Sequence, residues 1–569
     1  MILVSPENIK AYTAKGWWAE RTLGDTFLGW VEKRPHALAV VDTFNRLDFT
    51  DGAAQRWTYA ELAWQVGRWC AFLEQQGLKA NDLVVVQVPN VVELHAIYLA
   101  CAVYGVVASP IPVQYRAHEI THVVKATEAR VAIVARRVGR FRLAEHWQSI
   151  REEIPSVEKI LALGEACPPG VISADKELSE TVSWNSSAMR MHAARINLSA
   201  NDVATICWTS GTEGHPKGVP RSHNEWLIVG QGTAEAADLH DGARMLMPFP
   251  FTNMAGFASS MAAWLRCGGC VVHHHPFDLN VFIRQLSTEA VEHTVAAPTI
   301  LAMLLKQPEA LEGKDLSRLR TVGCGGSPIP DWLIESFERR FSARIVNLYS
   351  SNEGGSLAST PHDVADARTR ATLFPRLGVD GIKWTLPVSR RTRTRLVDID
   401  SGLEIHVPGQ TGELRFQGPN VFAGYWRSPD ATRRAFDSEG FYRSGDLFEI
   451  AGPENNFYRY VGRLKDIVIR GGMNISSEEI ENLITGHPDI QDASVIGVPD
   501  PEMGERVCAV IVPRPGRKVS LEQIVIYLRD ECHVAAFKLP ERLVTLDEIP
   551  RNPTGKALKR ELRKQVSTP

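Results

Sequence analysis

A ten-residue stretch, residues 209–218, combines the side chains and the backbone freedom that phosphate binding requires. It reads Thr-Ser-Gly-Thr-Glu-Gly-His-Pro-Lys-Gly and follows the apolar run 203–208, which is typical of a buried strand. Three glycines let a backbone approach a ligand closely, and three hydroxyls and Lys217 offer donors to anionic oxygen. At the carboxyl edge of a parallel sheet, such a loop directs backbone N–H groups toward anions. The stretch therefore predicts a polyphosphate site.

The spacing of this loop distinguishes it from the P-loop, in which lysine directly follows a glycine. Here Lys217 stands three residues after Gly214 and directly follows a proline. A turn rich in glycine and serine that binds nothing is the alternative interpretation of any single loop of this kind. The composition of ten consecutive residues favours the binding interpretation.

The same ten residues resemble the phosphate-binding loop of the acyl-adenylate-forming superfamily, which includes acyl-CoA synthetases, adenylation domains of peptide synthetases and luciferases. The family pattern is Thr/Ser-Ser/Thr-Gly-Thr-Thr/Ser-Gly-x-Pro-Lys-Gly, and this chain departs from it at Glu213, where a hydroxyl residue is usual. The resemblance implies that the nucleotide is bound by six residues of the loop: Thr209, Ser210, Gly211, Thr212, Gly214 and Lys217.

Two further segments resemble family motifs around the nucleotide. Residues 321–329 (TVGCGGSPI) are similar to the segment that lines the adenine face and the acyl pocket, and a glycine-rich turn before a helix over 331–341 is the alternative. Residues 346–353 (VNLYSSNE) are similar to Tyr-Gly-x-Thr-Glu, with Ser350 in place of Gly and Asn352 in place of Thr. The implied nucleotide contacts are Gly325, Gly326, Ser327, Tyr349, Ser350, Ser351 and Asn352. Glu353 is the implied magnesium ligand, because Mg²⁺ prefers a hard, anionic oxygen.

The segment 249–256 corresponds in the family to the wall of the acyl pocket. Counting back from Gly256 places Asn253 where many acyl-CoA synthetases carry a histidine. The Asn253 amide is expected either to bind a ring substituent or carboxylate of the substrate, or to cap a helix. The implied acid-binding residues are Phe251, Asn253, Met254, Gly325 and Ser350. Because these are small or mostly apolar, we expect a ring-bearing or medium-chain acid.

The next two motifs correspond in the family to the ribose site and the hinge. Residues 442–446 (YRSGD) match the family's Tyr-x-Ser/Thr-Gly-Asp, so Asp446 is the implied ligand of the ribose hydroxyls. Within 462–466 (GRLKD), Arg463 is implied as a second ribose or phosphate contact, and Lys465 as the hinge between two domains.

Two glycines and a lysine complete the resemblance. Gly471 and Gly472 would let the backbone pass beside a pantetheine arm, with an ordinary turn as the alternative. Lys556 lies on a loop where the family carries a catalytic lysine, near the end of the chain. The implied catalytic residues are thus Lys556, Glu353 and Lys217.

The pattern of elements predicts an α/β protein. Buried strands are predicted over 82–88, 129–135 and 159–163, and they alternate with helical segments such as 58–76 and 93–104. Strands that alternate with helices indicate parallel βαβ units. Together with the resemblance, this predicts a large N-terminal domain (1–464) of parallel βαβ sheets plus a small β-barrel, followed by a smaller, mobile α+β C-terminal domain (465–569).

Composition excludes several other classes of protein. The chain has 569 residues, 44% of them hydrophobic, and a net charge of -3 from 63 basic and 66 acidic side chains, so no nucleic-acid footprint is expected. Nine scattered cysteines favour reduced thiols, and Cys267 and Cys270 are expected to be two small buried residues rather than metal ligands. The histidines 273–275 are expected at a polar strand exit.

We expect a cytoplasmic protein without a membrane span. The N-terminus lacks the features of a signal peptide. The uncharged run 96–113 is broken by glycine and prolines, so a buried helix running into a strand explains it better than a membrane segment. An oligomer is left open.

Seven motifs stand in family order from Thr209 to Lys556. The resemblance implies ATP-dependent activation of a small-molecule carboxylic acid, assisted by Mg²⁺, to an acyl-adenylate and pyrophosphate. Transfer to coenzyme A would then give acyl-CoA and AMP. The alternatives are a stand-alone aryl-acid adenylating enzyme that loads the phosphopantetheine of a carrier protein, a luciferase-like oxygenase, and a catalytically silent nucleotide-binding protein.

Overall fold

The computed structural model describes residues 1–209, 216–326, 328–470, 473–501, 503–532, 534, 536–552 and 555–567. These residues form two compact units. Unit 1 contains the described residues up to 394 together with residues 416–442, and unit 2 contains residues 395–415 and the described residues from 443 onward. The strand and helix bounds that follow refer to these ranges.

The α-helices are α1 (Pro6–Ala14), α2 (Leu23–Lys33), α3 (Arg46–Phe49), α4 (Tyr59–Gln75), α5 (Val92–Tyr104), α6 (Ala117–Thr127), α7 (Leu143–Ser149), α8 (Ala174–Glu180), α9 (Ser186–Arg195), α10 (His223–Ala236), α11 (Met254–Phe257), α12 (Ala263–Cys267), α13 (Leu279–Thr288), α14 (Pro298–Lys306), α15 (Asp331–Phe341), α16 (Ala367–Thr372), α17 (Pro429–Ala435), α18 (Ser477–Thr485), α19 (Leu521–Ile526) and α20 (Lys559–Ser567).

The strands are β1 (Leu38–Val41), β2 (Arg56–Thr58), β3 (Leu83–Gln87), β4 (Val107–Pro110), β5 (Val131–Ala135), β6 (Lys159–Leu163), β7 (Ile172–Ser173), β8 (Val203–Trp208), β9 (Gly218–Ser222), β10 (Arg244–Met247), β11 (Cys270–His273), β12 (His293–Ala296), β13 (Thr321–Gly325), β14 (Arg344–Ser350), β15 (Ser356–Ser359), β16 (Leu373–Pro375), β17 (Arg393–Val397), β18 (Thr411–Gln417), β19 (Tyr442–Ala451), β20 (Phe457–Arg463), β21 (Ile467–Arg470), β22 (Met473–Ser476), β23 (Ile490–Asp500), β24 (Gly504–Pro513) and β25 (Arg542–Thr545).

Unit 1 is built on two mostly parallel sheets. The strand order is β7-β6-β5-β3-β4-β8-β9 in one sheet and β15-β14-β13-β12-β10-β11-β1-β2 in the other. The inner pairs are parallel, whereas β9, β15 and β2 pair antiparallel at the edges. The predicted parallel βαβ architecture is therefore confirmed, with antiparallel strands closing three edges.

The long uncharged run that ends at residue 113 is a buried helix followed by a strand, as predicted. Every residue of α5 except Glu93 is buried, and β4 follows after Gly105. A helix that is apolar on all sides is stable here because protein surrounds it. Within the described residues, no helix is long and apolar enough to cross a membrane.

Unit 2 contains a separate C-terminal α+β sheet. Its strand order is β22-β21-β24-β23, with β25 pairing parallel to β24. The helices α18 and α19 contribute buried side chains to its core, among them Ile480 and Ile524. Antiparallel pairing of β19 with β20 belongs to a further small sheet. The α/β class with a separate C-terminal domain is confirmed.

Most of the cysteines and the first two histidines of the run 273–275 are buried. All nine cysteines are free, and burial raises the pKa of both Cys267 and Cys270 to about 11. This agrees with the prediction of small buried residues. The histidine run stands at a strand end, as predicted, because β11 ends at His273, but His273 and His274 have no exposed surface.

Candidate active site

The two ends of the glycine-rich loop are tied together. The loop connects β8 to β9, which pair antiparallel. The backbone N–H of Thr209 donates to the Lys217 carbonyl at 3.0 Å, and the Lys217 N–H donates to the Thr209 hydroxyl at 3.0 Å. Thr209 and Lys217 are thus brought to one point at the end of β8. The predicted residues Ser210, Gly211, Thr212, Gly214, Ser327, Gly471 and Gly472 lie outside the described residues.

Tyr425 connects the predicted phosphate lysine to the predicted metal ligand. Its hydroxyl donates a 2.8 Å hydrogen bond to Glu353 Oε1, and Lys217 Nζ lies 4.7 Å from the centre of its ring. Glu353 follows β14 and is buried, with 9% of the residue surface exposed. A cation, a phenol and a carboxylate are therefore held together at the ends of β8 and β14.

Asn352 fixes the same corner of unit 1 through its amide group. Its Nδ2 donates to the Trp208 carbonyl at 3.0 Å, and its Oδ1 accepts from the Met254 N–H at 2.8 Å. The backbone carbonyl of Asn352 accepts from the fully buried Arg221 guanidinium, which also donates to the Asn420 carbonyl. Here the amide joins three segments of the chain, a structural role in addition to the predicted nucleotide contact.

The predicted acid-binding residues differ in exposure. Asn253 caps α11, because its Oδ1 accepts from the Gly256 N–H at 3.1 Å, so the capping alternative is realised. Phe251 is fully buried and packs against the rings of His95 and His273. Met254 is buried as well, and Ser350 at the end of β14 is exposed. Their role in binding the acid stays a prediction.

Gly325 is explained by the packing of two strands. A Cβ at this position would lie 2.2 Å from the Leu348 carbonyl oxygen on β14, so only glycine allows the observed approach. Next to it, Gly326 has a φ of 89°, and Tyr349 stacks on Phe416 at 6.0 Å between ring centres.

Asp446 and Arg463 form an ion pair across β19 and β20 in unit 2. The two residues are register partners, and Arg463 Nε lies 3.1 Å from Asp446 Oδ1. The Asp446 side chain is nearly buried, at 7% exposure, whereas 34% of the Arg463 side chain is accessible. The predicted ribose ligands thus hold each other in place. Lys465 lies in a short 3₁₀ turn just beyond.

Lys556 lies in a tight turn of unit 2. Its backbone N–H donates to Asn552 Oδ1 at 2.9 Å, and its carbonyl accepts from the Asn552 N–H at 2.8 Å. Desolvation and the positive charge of Arg463 lower the pKa of the Lys556 amine, while Asp446 and Glu478 act in the opposite direction. The side chain nevertheless keeps a surface accessible to solvent. Lys556 therefore shares the electrostatic environment of the predicted ribose ligands.

Two residues of this corner, Tyr425 and Arg221, have no role predicted from the sequence. Tyr425 belongs to the aromatic run 420–426 (NVFAGYW). Because the hydroxyl of a buried tyrosine usually has a hydrogen-bond partner, a tyrosine in such a run indicates a polar contact. Arg221 lies in β9 and has no such signal, because arginine side chains are mostly exposed in folded proteins.

The carboxylate of Glu353 is a suitable ligand for the implied Mg²⁺. Its Oε1 accepts from Tyr425, and its Oε2 has no hydrogen bond to any residue that the structure describes. In the described part of the chain, no group of three or more His, Cys, Asp or Glu side chains is arranged as a metal site. Since Mg²⁺ beside phosphates is commonly bound through one or two carboxylates, a single carboxylate is compatible with it.

Comparison with known proteins identifies the class. Residues 27–426 match the family model described as AMP-binding enzyme, and residues 479–556 match its C-terminal domain. The chain therefore belongs to the AMP-binding enzyme family, within the acyl-adenylate-forming superfamily, and it is an adenylate-forming ligase.

Particular relatives cover nearly the whole chain. The medium-chain fatty-acid–CoA ligase of Escherichia coli (strain K12) is 30% identical over 567 residues, which cover 98% of this chain and 92% of the relative. Pyochelin synthase PchD of Pseudomonas aeruginosa (strain UCBPP-PA14) is 29% identical over 569 residues, covering 98% and 95%. The crystal structure of ATP-bound MatB from Rhodopseudomonas palustris has a TM-score of 0.77 at 25% identity, covering 96% of this chain and 99% of MatB.

Proposed function

We propose that this enzyme activates a ring-bearing or medium-chain, mostly apolar carboxylic acid with ATP and transfers the acyl group to coenzyme A. In the first half-reaction, a carboxylate oxygen attacks the α-phosphorus, the bond to the bridging oxygen breaks, and pyrophosphate leaves. In the second, the CoA sulfur attacks the acyl carbon, the thiol proton passes to solvent, and AMP leaves. The products are acyl-CoA, AMP and pyrophosphate.

The observation that carries this proposal is the arrangement of Lys217, Tyr425 and Glu353 at the strand ends of unit 1. All reacting groups of the first half-reaction are anions, so the site must align and neutralise them. Lys217 would contribute a point charge to the phosphates. Tyr425 would orient the Glu353 carboxylate, and a magnesium ion bound by Glu353 would neutralise phosphate charge.

Three residues of unit 2 are also proposed to act on the nucleotide. Asp446 would accept hydrogen bonds from the ribose hydroxyls, and Arg463, which orients Asp446, would contact the ribose or a phosphate. Lys556 would stabilise the negative charge that develops around the α-phosphate during adenylation. Rotation about Lys465 would then withdraw Lys556, and the backbone at Gly471 and Gly472 would pass beside the pantetheine arm of CoA.

The acceptor of the acyl group distinguishes this proposal from its strongest alternative. Similarity to a medium-chain fatty-acid–CoA ligase supports free CoA as the acceptor. Similarity to pyochelin synthase PchD favours the second candidate, an adenylating enzyme that loads the phosphopantetheine of a carrier protein. Both candidates share the first half-reaction.

Pyrophosphate release over a panel of carboxylic acids tests the first half-reaction. We expect release that depends on ATP, on Mg²⁺ and on particular acids, and its absence with every acid would refute the proposal. Adding CoA alone to the enzyme-bound adenylate tests the second half. Formation of a free thioester with AMP supports the CoA ligase, whereas an adenylate that persists until a carrier protein is added supports the alternative.

A further inference from the structure

The side-chain amide of Asn352 connects two segments of unit 1 that are predicted to bind different ligands. Its Oδ1 accepts from the Met254 N–H at 2.8 Å, and its Nδ2 donates to the Trp208 carbonyl at 3.0 Å. Met254 belongs to the segment 249–256, which is predicted to contact the acid. Trp208 is the last residue of β8 and directly precedes the predicted phosphate loop 209–218. One side chain therefore contacts both the acid segment and the strand from which the phosphate loop leaves.

The two partners determine the orientation of this amide. A backbone N–H can only donate and a carbonyl can only accept, so Oδ1 must face Met254 and Nδ2 must face Trp208. Threonine, the usual family residue at this position, has a single polar side-chain atom, which lies one covalent bond nearer to the backbone than the two amide atoms. The pair of contacts is therefore specific to the asparagine of this chain.

The contact with Met254 fixes the start of α11. Met254 is the first residue of that helix, and the first four N–H groups of a helix have no partner within the helix. Asn253 satisfies the N–H of Gly256 by capping, and Asn352 satisfies the N–H of Met254. The position of the acid segment thus depends partly on a side chain from the loop after β14.

The backbone that carries the amide is fixed as well. The fully buried Arg221 guanidinium donates from Nε to the Asn352 carbonyl at 3.1 Å and from Nη1 to the Asn420 carbonyl at 2.6 Å. An asparagine side chain has only two torsion angles. Because the backbone is held and the side chain is short, a displacement of either contact of the amide must alter the other contact.

We propose that Asn352 is a positioning residue that couples the two sites, so that the acid and Mg²⁺–ATP each bind more tightly when the other is present. This inference rests on the proposed function, because it takes residues 249–256 to contact the acid and residues 209–218 to contact the phosphates. An acid that holds Met254 in place also holds the amide, and the amide holds Trp208 where the phosphate loop begins. By linkage, each ligand must raise the affinity for the other by the same factor.

Binding of the acid with and without a nucleotide measures this coupling. The acid is titrated by calorimetry into the enzyme alone and into the enzyme saturated with Mg²⁺ and α,β-methylene-ATP, an analogue that cannot release pyrophosphate. The probe is the acid that gives the most pyrophosphate release with ATP, and the panel includes benzoate and octanoate as members of the two expected classes. We expect the analogue to lower the Kd of the acid roughly five- to 150-fold, the usual range for coupled sites.

Two variants at one position connect the coupling to the amide. Asn352→Thr has a single polar atom in place of two, and the ionised carboxylate of Asn352→Asp can accept from Met254 but cannot donate to Trp208. In both variants we expect the ratio of the two Kd values to fall below about twofold, whatever the change in either Kd alone.

Asn347→Thr is the matched control. Asn347 is a buried asparagine of β14, and its Nδ2 donates to the Arg370 and Ala371 carbonyls at 3.0 and 2.8 Å, outside both segments. The same substitution here also removes hydrogen bonds between distant parts of the chain. This variant should lose stability in urea unfolding and keep the wild-type ratio of Kd values.

The outcomes separate this inference from the proposed function. A merely structural asparagine would affect stability and each affinity but not their ratio. An enzyme that releases pyrophosphate but shows no coupling would overturn the inference alone. So would a ratio that persists in either variant of Asn352, or one that is lost equally in Asn347→Thr. If one variant of Asn352 does not fold, the other and the wild-type ratio still decide. No release with any acid would refute the proposed function and this inference with it.

Discussion

The Tyr425 hydroxyl donates a 2.8 Å hydrogen bond to Glu353 Oε1, although the two residues are 72 positions apart in the chain. This bond leaves Oε2 as the carboxylate oxygen available to a metal ion. Lys217 lies 4.7 Å from the centre of the same phenol ring, so one tyrosine contacts both a cation and an anion of the proposed site.

Removing the Tyr425 hydroxyl should impair adenylation while preserving the fold. We expect Tyr425→Phe to lower pyrophosphate release about ten- to a hundredfold, as is common when a group that orients a metal ligand is lost. The control is Tyr104→Phe, which deletes a hydroxyl that donates to the Leu78 carbonyl at 2.9 Å in the core. That variant should lose about 1 kcal/mol of stability in urea unfolding and keep its activity. Equal activity losses in the two variants would contradict the role of Tyr425.

Replacing the Glu353 carboxylate by an amide should weaken the use of Mg²⁺. The glutamine oxygen in Glu353→Gln can still accept from Tyr425, so the substitution mainly removes negative charge. We expect the Mg²⁺ concentration for half-maximal pyrophosphate release to rise at least about tenfold. Binding of the acid, measured by calorimetry, should be unchanged. An unaltered Mg²⁺ dependence would remove Glu353 from the metal site.

Two glycines on β13 should respond differently to alanine. A Cβ at Gly323 would lie 2.9 Å from Leu348 Cδ1, the end of a flexible side chain, whereas a Cβ at Gly325 would lie 2.2 Å from the Leu348 carbonyl oxygen. Gly323→Ala should therefore fold with little loss of stability, because the end of the Leu348 side chain can move aside. Gly325→Ala should lose roughly 1–3 kcal/mol of stability through strain between β13 and β14. Thermal unfolding of both variants measures the difference, and similar stabilities of the two variants would show that the strands adjust freely.

Replacing Lys556 should impair the first half-reaction and spare the second. Lys556→Ala removes one charge-assisted contact from the adenylation transition state, worth roughly 3–4 kcal/mol, or about a hundred- to a thousandfold in rate. Thioester formation from acyl-adenylate supplied ready-made should remain near wild type. Rapid-quench assays of each half-reaction measure the difference. Loss in neither assay would indicate a solvated lysine, and equal losses in both would indicate a disturbed fold or hinge.

The alkaline limit of adenylation should report the lowered pKa of Lys556. The protonated amine is the active form, and its pKa lies below that of an ordinary lysine because of desolvation and the charge of Arg463. Activity should therefore fall as pH rises through this lowered pKa. In Lys556→Arg the guanidinium remains charged, so the alkaline fall should move to higher pH. A pH–rate profile of pyrophosphate release tests this, and identical alkaline limbs in both proteins would contradict it.

Local sequence patterns were sufficient to predict these helices and strands and the class of enzyme. The apolar runs 203–208 and 159–163 coincide with β8 and β6 because a buried strand in a parallel sheet needs apolar side chains on both faces. The helix over 331–341 coincides with α15, whose apolar residues recur at helical spacing. The family motifs were readable because each is a short, continuous segment, and the family and the fold class are confirmed.

The contacts between distant segments were decided only by the tertiary structure. Nothing near Glu353 in the sequence indicates Tyr425, and nothing near His293 indicates that its Nδ1 hydrogen-bonds the Thr321 hydroxyl, because strand register and packing bring these residues together. The same holds for Gly325, whose lack of a side chain reflects the approach of a neighbouring strand, and for His273, which the chain buries completely. Spacing along the chain encodes local geometry, whereas hydrogen-bond partners and burial depend on which distant segments pack against each residue.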